Sequence, residues 1–317
     1  MIRHQFRLAA AAAVCLALAA CSGPTSMEPP EVDVPTPLPA GIDFDPDIET
    51  APAQECNPLA SYSPGAVTAD QARAQLDSGE QISIGISQST NLMGYLDPES
   101  STLAGFDIDI ATAVAEEILG EGATIRWVPM TSSERVPSLD GDRVDMVVRT
   151  MTMNCSRWSE VEFSAEYYHA GQRLLVPRTS GINGLTDLTG DHLVCTGHGS
   201  TSVRTIAEQS EAQTVTVPDY NDCLVLLQQG TVDAITTDDT ILAGMAVQDP
   251  TVHVVGEAFS AEPYGIALQL GNTDLARFVN GALERIIADG TWQAAYNEWL
   301  QGPLAVEAAP PSPQYRD

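Results

Sequence analysis

Short apolar strands alternate with amphipathic helices over most of the chain. The segment QISIGIS, residues 81–87, repeats polar and apolar positions with the period of two that is typical of a β-strand. The segment FDIDIATAVAEEILG places Phe106, Ile110, Val114 and Ile118 on one face of a helix and ends in glycine. Similar helical periodicity returns in TDLARFVNGALERIIADG and TWQAAYNEWLQG. The alternation predicts an α/β fold with mostly parallel sheets.

The alternation occurs twice. TIRWVPM, RVDMVVRT and RLLVP are the further strands of a first series, and HLVCTGH, AQTVTVPDY and VDAITTDD begin a second one. We therefore expect two α/β lobes. The first would span 79–170 and the second 171–263, and residues 264–303 would return to the first lobe. Ligands of such sheets bind outside the carboxyl ends of the strands, so a cleft between facing lobes would collect loops from both.

The two ends of the chain differ from this core. MIRHQFR followed by thirteen apolar residues is typical of a signal peptide, predicted here at 1–20. It closes with LAAC, which resembles the lipobox of bacterial lipoproteins and predicts lipidation of Cys21. The alternative is a plain secretory signal cut after ALA or LAA. Residues 21–63 are rich in proline and acid and are expected to form a disordered tether, and 304–317 a loose tail.

The charge of the chain excludes some partners. Acidic residues number 43 against 14 basic ones, which are all arginine, and the net charge is −29. A field of this sign repels nucleic acid and anionic lipid. It also repels small anions, so an anion site must be built locally from arginine and backbone N–H groups.

The cysteines after the predicted lipidation site Cys21 are even in number. They are Cys56, Cys155, Cys195 and Cys223. In an exported protein this count suggests two disulfides, with three possible connectivities. A zinc site is the alternative, but no C-x-x-C or H-x-x-x-H spacing occurs. We therefore expect neither a metal nor a cofactor.

Several motifs, in order, resemble one known family. GFDIDIATAVAEEIL, TSSERVPSL, TMTMNCSRWSEVEFSAEYY, GSTS, VDAITTDD and DGTWQAAYNEWL are similar to segments of solute-binding protein family 3, the polar amino-acid receptors of ABC transporters. The resemblance covers about 220 residues, and the chain looks most like the Gram-positive lipoprotein receptors for glutamate and glutamine. It implies a two-lobed, type II periplasmic-binding-protein-like fold whose lobes are joined by two hinge strands.

The family's T-x-T-x-x-R motif implies where the ligand's α-carboxylate binds. Arg157 matches its arginine and can give two parallel charge-assisted hydrogen bonds. Thr152 should add a hydroxyl and a backbone N–H. Thr201 is predicted at a helix N-terminus, which also favours an anion. The alternative role of Arg157 is a surface ion pair with Glu160 or Glu162.

The ligand's ammonium needs an acceptor. Asp238 matches the family's ammonium-binding aspartate, Asp239 is its neighbouring rival, and the carbonyl of Thr150 is a second acceptor. The alternative role of the two aspartates is to cap the following helix.

Arg135 and Tyr220 are candidates for the ligand's side chain. Arg135 matches the arginine that faces the distal carboxylate in acidic amino-acid receptors of the family, and Tyr220 could donate to the same group. An ion pair of Arg135 with Glu134 or Asp140 is the alternative.

Arg149 is a further candidate, because many relatives have a small residue at the corresponding strand end. A second extra arginine in so acidic a chain suggests a ligand with a second carboxylate or its amide. The alternative is a buried ion pair with Asp145 or Glu166.

The resemblance also favours one disulfide pairing. Glutamate-type receptors often carry a pair in the region of Cys195 and Cys223, and Cys155 of the first lobe is within reach of Cys56 in the tether. Loops of this length correspond to about 3.6 and 4.7 kcal/mol of chain entropy.

Together these features predict a monomeric receptor, not an enzyme. It would sit at the outer face of the cytoplasmic membrane on a lipid anchor, bind glutamate, glutamine, aspartate or asparagine by cleft closure, and deliver it to an ABC transporter permease. Two alternatives keep the fold: a sensor lipoprotein that signals to a membrane partner, and a cyclohexadienyl dehydratase-like enzyme.

Overall fold

The computed structural model describes residues 37–48 and 56–317. The signal peptide predicted at 1–20, the lipidation predicted at Cys21 and part of the predicted tether lie outside these residues. Within the described residues the helices are α1 (Ala69–Arg73), α2 (Phe106–Leu119), α3 (Arg135–Asp140), α4 (Thr201–Gln209), α5 (Tyr220–Gln228), α6 (Asp239–Gln248), α7 (Thr273–Ala288), α8 (Thr291–Trp299) and α9 (Gln301–Leu304).

Most strands of the same residues belong to two five-stranded sheets. The strands are β1 (Ala60–Ser61), β2 (Ile82–Ile86), β3 (Ser89–Thr90), β4 (Gly94–Leu96), β5 (Leu103–Ala104), β6 (Ile125–Pro129), β7 (Met146–Val147), β8 (Val161–Phe163), β9 (Tyr168–Pro177), β10 (Leu193–Gly197), β11 (Gln213–Val217), β12 (Ala234–Asp238), β13 (Val252–Tyr264), β14 (Ala267–Gln269) and β15 (Gln314–Tyr315).

The first sheet has the order β6-β2-β7-β14-β8. β6, β2 and β7 run parallel, and β14 is antiparallel to both β7 and β8. Its largest core joins strand residues such as Ile84 to aromatic side chains from three other segments, Phe106, Tyr167 and Trp292. The Phe106 and Trp292 rings pack edge to face with their centroids 5.8 Å apart, which holds α2 against α8.

The second sheet repeats the parallel arrangement in the order β11-β10-β12-β9-β13. β11, β10 and β12 run parallel, and β9 and β13 are antiparallel to their neighbours. Helices α4 and α5 both contact this sheet. The fully buried disulfide Cys195–Cys223 joins β10 to α5. The predicted α/β fold is confirmed.

Two long strands run from one core to the other. β9 and β13 pair from Pro177 opposite Val252 to Tyr168 opposite Tyr264. The tyrosines belong to the core of the first sheet, whereas Leu175 lies in a core of the second. The predicted lobe boundaries, 170/171 and 263/264, fall within these strands.

Parts of the predicted tether and tail are ordered, so the prediction of disorder over 21–63 and of a loose tail over 304–317 is wrong for them. β1 and β15 pair in parallel, and Ser61 is fully buried and donates to the carbonyl of Phe163. The Arg316 guanidinium stacks over the Trp158 ring at 4.0 Å. The prediction of disorder was based on the composition of each segment alone. Composition does not reveal contacts with residues that are distant in the sequence.

Asn280 fastens this N-terminal strand to the first lobe. Its side chain accepts from the N–H of Ala165 at 2.6 Å and donates to Ser61 Oγ at 2.9 Å and to the carbonyl of Tyr62 at 2.7 Å. The residue is fully buried.

We expect Asn280→Ala to lower the free energy of unfolding by about 3 kcal/mol, because it leaves buried polar groups unpaired. Urea unfolding measures this. The matched control is Asn297→Ala, since Asn297 is exposed and accepts one bond from Gln293. Equal stability of the two variants would contradict the role given to Asn280.

Among residues 37–48 and 56–317, no helix has both the length and the apolar character that crossing a membrane requires.

Candidate functional site

Three loops that follow strands meet between the two sheets. One runs from the end of β7 through Arg149 and Thr152 to Arg157, one follows β10 into α4, and one follows β12 at Asp238. These are the carboxyl ends of parallel strands, where α/β sheets bind ligands. The sequence predicted this edge, and the structure brings side chains from all three loops together.

Arg157 connects the two lobes. Its guanidinium donates to the carbonyl of Thr152 at 2.8 Å and to the carbonyl of Gly199, in the second lobe, at 3.3 Å. Burial lowers the pKa of the guanidinium, and the nearby charge of Glu262 opposes that shift. No ion pair with Glu160 or Glu162 forms in the described part of the chain. Of its five N–H groups, two are used by these bonds, so it can hold a further anion.

The carboxylate of Glu262 occupies the centre of the site, and the sequence did not single it out. One of its oxygens accepts from Thr152 Oγ1 at 2.6 Å and from Thr201 Oγ1 at 2.7 Å. The other oxygen accepts from Ser260 Oγ at 2.6 Å. Glu262 is 2% exposed and lies on β13. It therefore joins a threonine of each lobe to a strand that crosses between them.

Glu262 changes what the two threonines can do. A hydroxyl has one hydrogen to donate, and those of Thr152 and Thr201 are both given to Glu262. The hydroxyl that the sequence assigned to an α-carboxylate is thus already used at Thr152. Only main-chain N–H groups of these residues remain for that purpose.

The N-terminus of α4 supplies such groups. Thr201 is the first residue of this nine-residue helix, and the side chain of the preceding Ser200 makes no capping bond. The first N–H groups of a helix have no intrahelical acceptor, and the helix dipole favours an anion there. Ser200 Oγ is also buried without a protein partner among the described residues.

Arg135 is buried, but most of its donors are used by the protein. Its Nε donates to the carbonyl of Ser132, and Nη1 donates to the carbonyls of Arg149 and Thr150. Its Nη2 reaches the carbonyl of Gly199 in the second lobe at 3.3 Å. The alternative ion pair with Glu134 does not form, because Glu134 faces Arg143 at 3.7 Å. One N–H of Arg135 remains without a described acceptor.

Arg149 keeps more of its donors. Its Nε donates to the carbonyl of Met130 at 2.8 Å and Nη1 to Ser132 Oγ at 2.7 Å. Three of its five N–H groups therefore have no acceptor among the described residues. The alternative partners are engaged elsewhere, since Asp145 accepts from Ser83 and Glu166 contacts His169.

Tyr220 lies beside the arginines at the start of α5. It is buried, and it lies within electrostatic range of both Arg135 and Arg149. Its ring packs against Gly197, where a Cβ would lie 2.6 Å from the ring. Glycine at the end of β10 therefore allows the ring to approach the arginines.

Asp238 is the carboxylate of the second lobe in this site. It is 4% exposed and accepts from the Tyr264 hydroxyl at 2.6 Å. Burial, together with the charge of Glu262, raises its pKa well above the usual value. Asp239 instead accepts from the N–H of Thr240 and from that of Gly171, so its carboxylate is committed to the backbone.

Thr150 is held in an unusual conformation by Asp107. Its φ of 37° lies in the left-handed region, and its N–H donates to Asp107 at 2.9 Å. Asp107 also accepts from the Tyr167 hydroxyl at 2.7 Å. Burial raises the pKa of Asp107 to about 6, although these hydrogen bonds oppose the shift. The carbonyl of Thr150, which accepts from Arg135, has a second lone pair for a ligand donor.

The lobes also touch on the other side of the site. Ser89 Oγ donates to Asp219 at 2.6 Å, and Asn221 donates to the carbonyl of Ser89 at 2.8 Å. The backbone at Asn91 lies against Gly244, where a Cβ would be 2.3 Å from the carbonyl oxygen. The structure therefore shows the two lobes in contact around the site.

A cavity of about 550 Å³ opens at the Arg157 side. Residues of both lobes line it, and so does the segment Pro46, Asp47 and Ile48 near the N-terminus. No cluster of potential metal ligands occurs among the described residues.

Two α/β lobes, joined by crossing strands around a buried cleft with opposite charges, define the class of two-lobed binding proteins. Residues 82–302 match the bacterial extracellular solute-binding proteins, family 3, and the chain belongs to this family.

Its relatives include proteins named for two amino acids. The chain is 36% identical over 229 residues to the ABC transporter glutamine-binding protein GlnH of Bacillus subtilis, an alignment that covers 72% of this chain and 84% of that protein. It is 32% identical over 251 residues to the glutamate-binding protein GluB of Corynebacterium glutamicum, with 75% and 84% covered. The solved structure of an ancestral arginine-binding protein bound to glutamine is similar with a TM-score of 0.65 and 33% identity, covering 70% of this chain and 98% of that chain.

Both predicted disulfides are present. Cys56–Cys155 attaches the N-terminal segment to the first lobe, and Cys195–Cys223 lies within the second.

Proposed function

We propose that this protein is an extracytoplasmic receptor for one acidic or amide amino acid, glutamate, glutamine, aspartate or asparagine, which it delivers to an ABC transporter permease. The observation that carries the proposal is that Arg157 of the first lobe reaches Gly199 beside the α4 N-terminus of the second, within electrostatic range of the buried Asp238. A free amino acid carries charges of both signs, and this arrangement offers partners for both.

Each group of the ligand has a partner in this proposal. Arg157 holds the α-carboxylate through its remaining N–H groups, with main-chain N–H groups of Thr152 and Thr201 beside it. Asp238 and the carbonyl of Thr150 accept from the ammonium. The side-chain carboxylate or amide binds to Arg149, which keeps three donors, and to the Tyr220 hydroxyl. Arg135 has one donor left, and its main role is to hold the backbone of both lobes.

Ligand binding closes the cleft in this proposal. The carboxylate site draws on both lobes, and the ammonium site pairs an aspartate of the second lobe with a carbonyl of the first. A ligand that bridges them binds the closed form better than an open one, so it shifts the population towards closure. Three or four charge-assisted bonds of about 1.5–3 kcal/mol each, less the cost of closure, are enough for micromolar affinity.

Calorimetry of the full mature chain with the twenty amino acids tests the proposal. We expect glutamate, glutamine, aspartate or asparagine to bind most tightly, with a Kd of about 1 μM. Arg149→Gln should weaken these four selectively and leave alanine and serine unchanged relative to the native chain. Tightest binding of a cationic or aliphatic amino acid would contradict the assigned specificity.

The membrane attachment is a separate part of the proposal. We infer that Cys21 carries the lipid anchor, that the protein acts as a monomer and that it turns over no substrate. Metabolic labelling with a fatty acid should mark the native chain and spare Cys21→Ala. Incubation with prephenate or arogenate should yield no product, and a product would support the dehydratase alternative.

A further inference from the structure

The segment 41–48 is attached to the second lobe. Asp43 and Thr216 exchange both main-chain hydrogen bonds, each at 2.8 Å, in an antiparallel bridge. Thr216 lies on β11, the edge strand of the second sheet, whose free edge can accept a further strand. Ile42 packs against the apolar core of the same lobe. Backbone pairing and apolar contact together hold this end of the segment.

The chain that follows is attached to the first lobe. Cys56 forms a disulfide with Cys155, which lies in the loop between Thr152 and Arg157. Nearby, Trp158 Nε1 donates to the carbonyl of Pro58 at 2.8 Å. Because Asp43 is fixed to one lobe and Cys56 to the other, the chain must pass from the second lobe to the first.

The described part of this passage lies at the mouth of the cleft. Pro46, Asp47 and Ile48 line the cavity of about 550 Å³ together with Arg157 of the first lobe and Thr201 of the second. The N-terminal segment therefore forms a wall of the opening that leads to the proposed carboxylate site.

We propose that residues 41–48, here called the strap, cover the mouth of the cleft and slow exchange between the cleft and solvent. The chain is attached on both sides of the lining residues, at Asp43 to the second lobe and at Cys56 to the first. Separation of the lobes therefore does not move the strap away from the mouth of the cleft. The roughly 13 residues from Asp43 to Cys56 could reach at most about 45 Å when extended, so the strap also permits opening. It acts as a cover that stays in place during both binding and release.

The strap changes rates more than affinity. A cover that is present before and after binding hinders entry and exit alike, so it lowers both rate constants while their ratio changes less. Retention of an amino acid by the strap rests on the proposed function. Shielding of Arg157 from solvent does not, and it can be measured without any ligand.

Two variants remove the cover in different ways. The released variant combines Gly41→Val with Cys56→Ser and Cys155→Ser. Gly41 has φ +76°, and a Cβ there would lie 2.9 Å from Pro218, so valine should displace the bridge at Asp43. The second variant, P46G/D47S/I48G, keeps both fastenings and removes the lining side chains. Gly122→Val is the matched control, because Gly122 has φ +73° with nothing within 4 Å.

Labelling of arginine with phenylglyoxal, followed by peptide mass spectrometry, tests the proposal on ligand-free protein. We expect Arg157 to react about fivefold faster in both variants than in the native chain and in Gly122→Val, with exposed Arg178 as the internal standard. In stopped-flow measurements with glutamine or glutamate, entry and exit should both accelerate about fivefold. Unchanged Arg157 labelling in P46G/D47S/I48G would overturn the proposal, even if the released variant did not fold. If the native chain bound no amino acid, the proposed function would fail while the labelling result would still decide the role of the strap.

Discussion

Replacing Arg157 by alanine is expected to weaken binding of the preferred amino acid about 100-fold, or by roughly 2.7 kcal/mol. The guanidinium already spans the lobes through the carbonyls of Thr152 and Gly199. In the native chain the remaining donors of Arg157 would pair with the ligand's carboxylate. In the alanine variant that carboxylate would lie near the negative charge of Glu262 with no positive charge to neutralise it. Calorimetry with the preferred ligand measures the loss.

Two comparisons separate this role from loss of a general positive charge. Arg157→Lys keeps the charge but loses the planar fork, so its affinity should fall between those of the native chain and the alanine variant. Arg178→Ala removes an exposed arginine that also donates to a carbonyl, that of Pro250, and should bind normally. Undiminished binding by Arg157→Ala would show that the carboxylate lies elsewhere.

Asp238→Asn should weaken binding by a similar factor, about 30- to 100-fold, because a neutral amide cannot neutralise the ligand's ammonium. The amide oxygen can still accept from Tyr264, so the fold around the site should persist. Burial raises the pKa of Asp238, and only its ionised form suits an ammonium. The affinity of the native chain should therefore fall as the pH is lowered, and this dependence should be absent from the variant.

The control for Asp238 is Asp233→Asn. Asp233 is exposed near the start of the same strand and accepts one bond from the N–H of Leu193. It should bind the ligand as the native chain does. A loss in Asp233→Asn equal to that in Asp238→Asn would point to a general effect of negative charge.

Much of the fold could be predicted because the strands and helices have clear periodicity. The buried face of α2, most strands of the two series and both disulfides were predicted. RLLVP was assigned to the first series, but it lies in β9 of the second sheet, because this strand crosses from one lobe to the other. What the sequence missed depends on distant partners. β1 is two residues long and exists because β15 and Asn280 pair with it.

The candidate site was predictable to the level of its loops. Arg157 and Thr201 line one cavity, and Asp238 lies within electrostatic range of Arg157, since strand ends of parallel sheets share an edge. Their roles toward a ligand are proposals. The sequence could not predict which N–H groups of the arginines donate to protein acceptors and which remain for a ligand. The sequence favoured Arg135 over Arg149 as a ligand contact, but hydrogen bonds to carbonyls take four of the five donors of Arg135, whereas Arg149 keeps three.

The sequence contains a pattern from which the buried position of Glu262 could have been predicted. Glu262 lies in SAEPYG, next to a proline and a tyrosine of a strand that enters the core. A buried carboxylate needs several donors, so an acidic residue at an inward strand position predicts a polar centre. The hydroxyls of Thr152 and Thr201 meet that need and become unavailable to a ligand carboxylate.

The central claim is that the first lobe neutralises the negative end of an amino acid and the second lobe its positive end. Competition calorimetry of the native chain, Arg157→Ala and Asp238→Asn tests it, with three ligands: the preferred amino acid, its analogue without the α-carboxylate, and its analogue without the α-ammonium. The penalty of Arg157→Ala should vanish only for the analogue without the carboxylate, and that of Asp238→Asn only for the one without the ammonium. Penalties that are the same for all three ligands would contradict the claim.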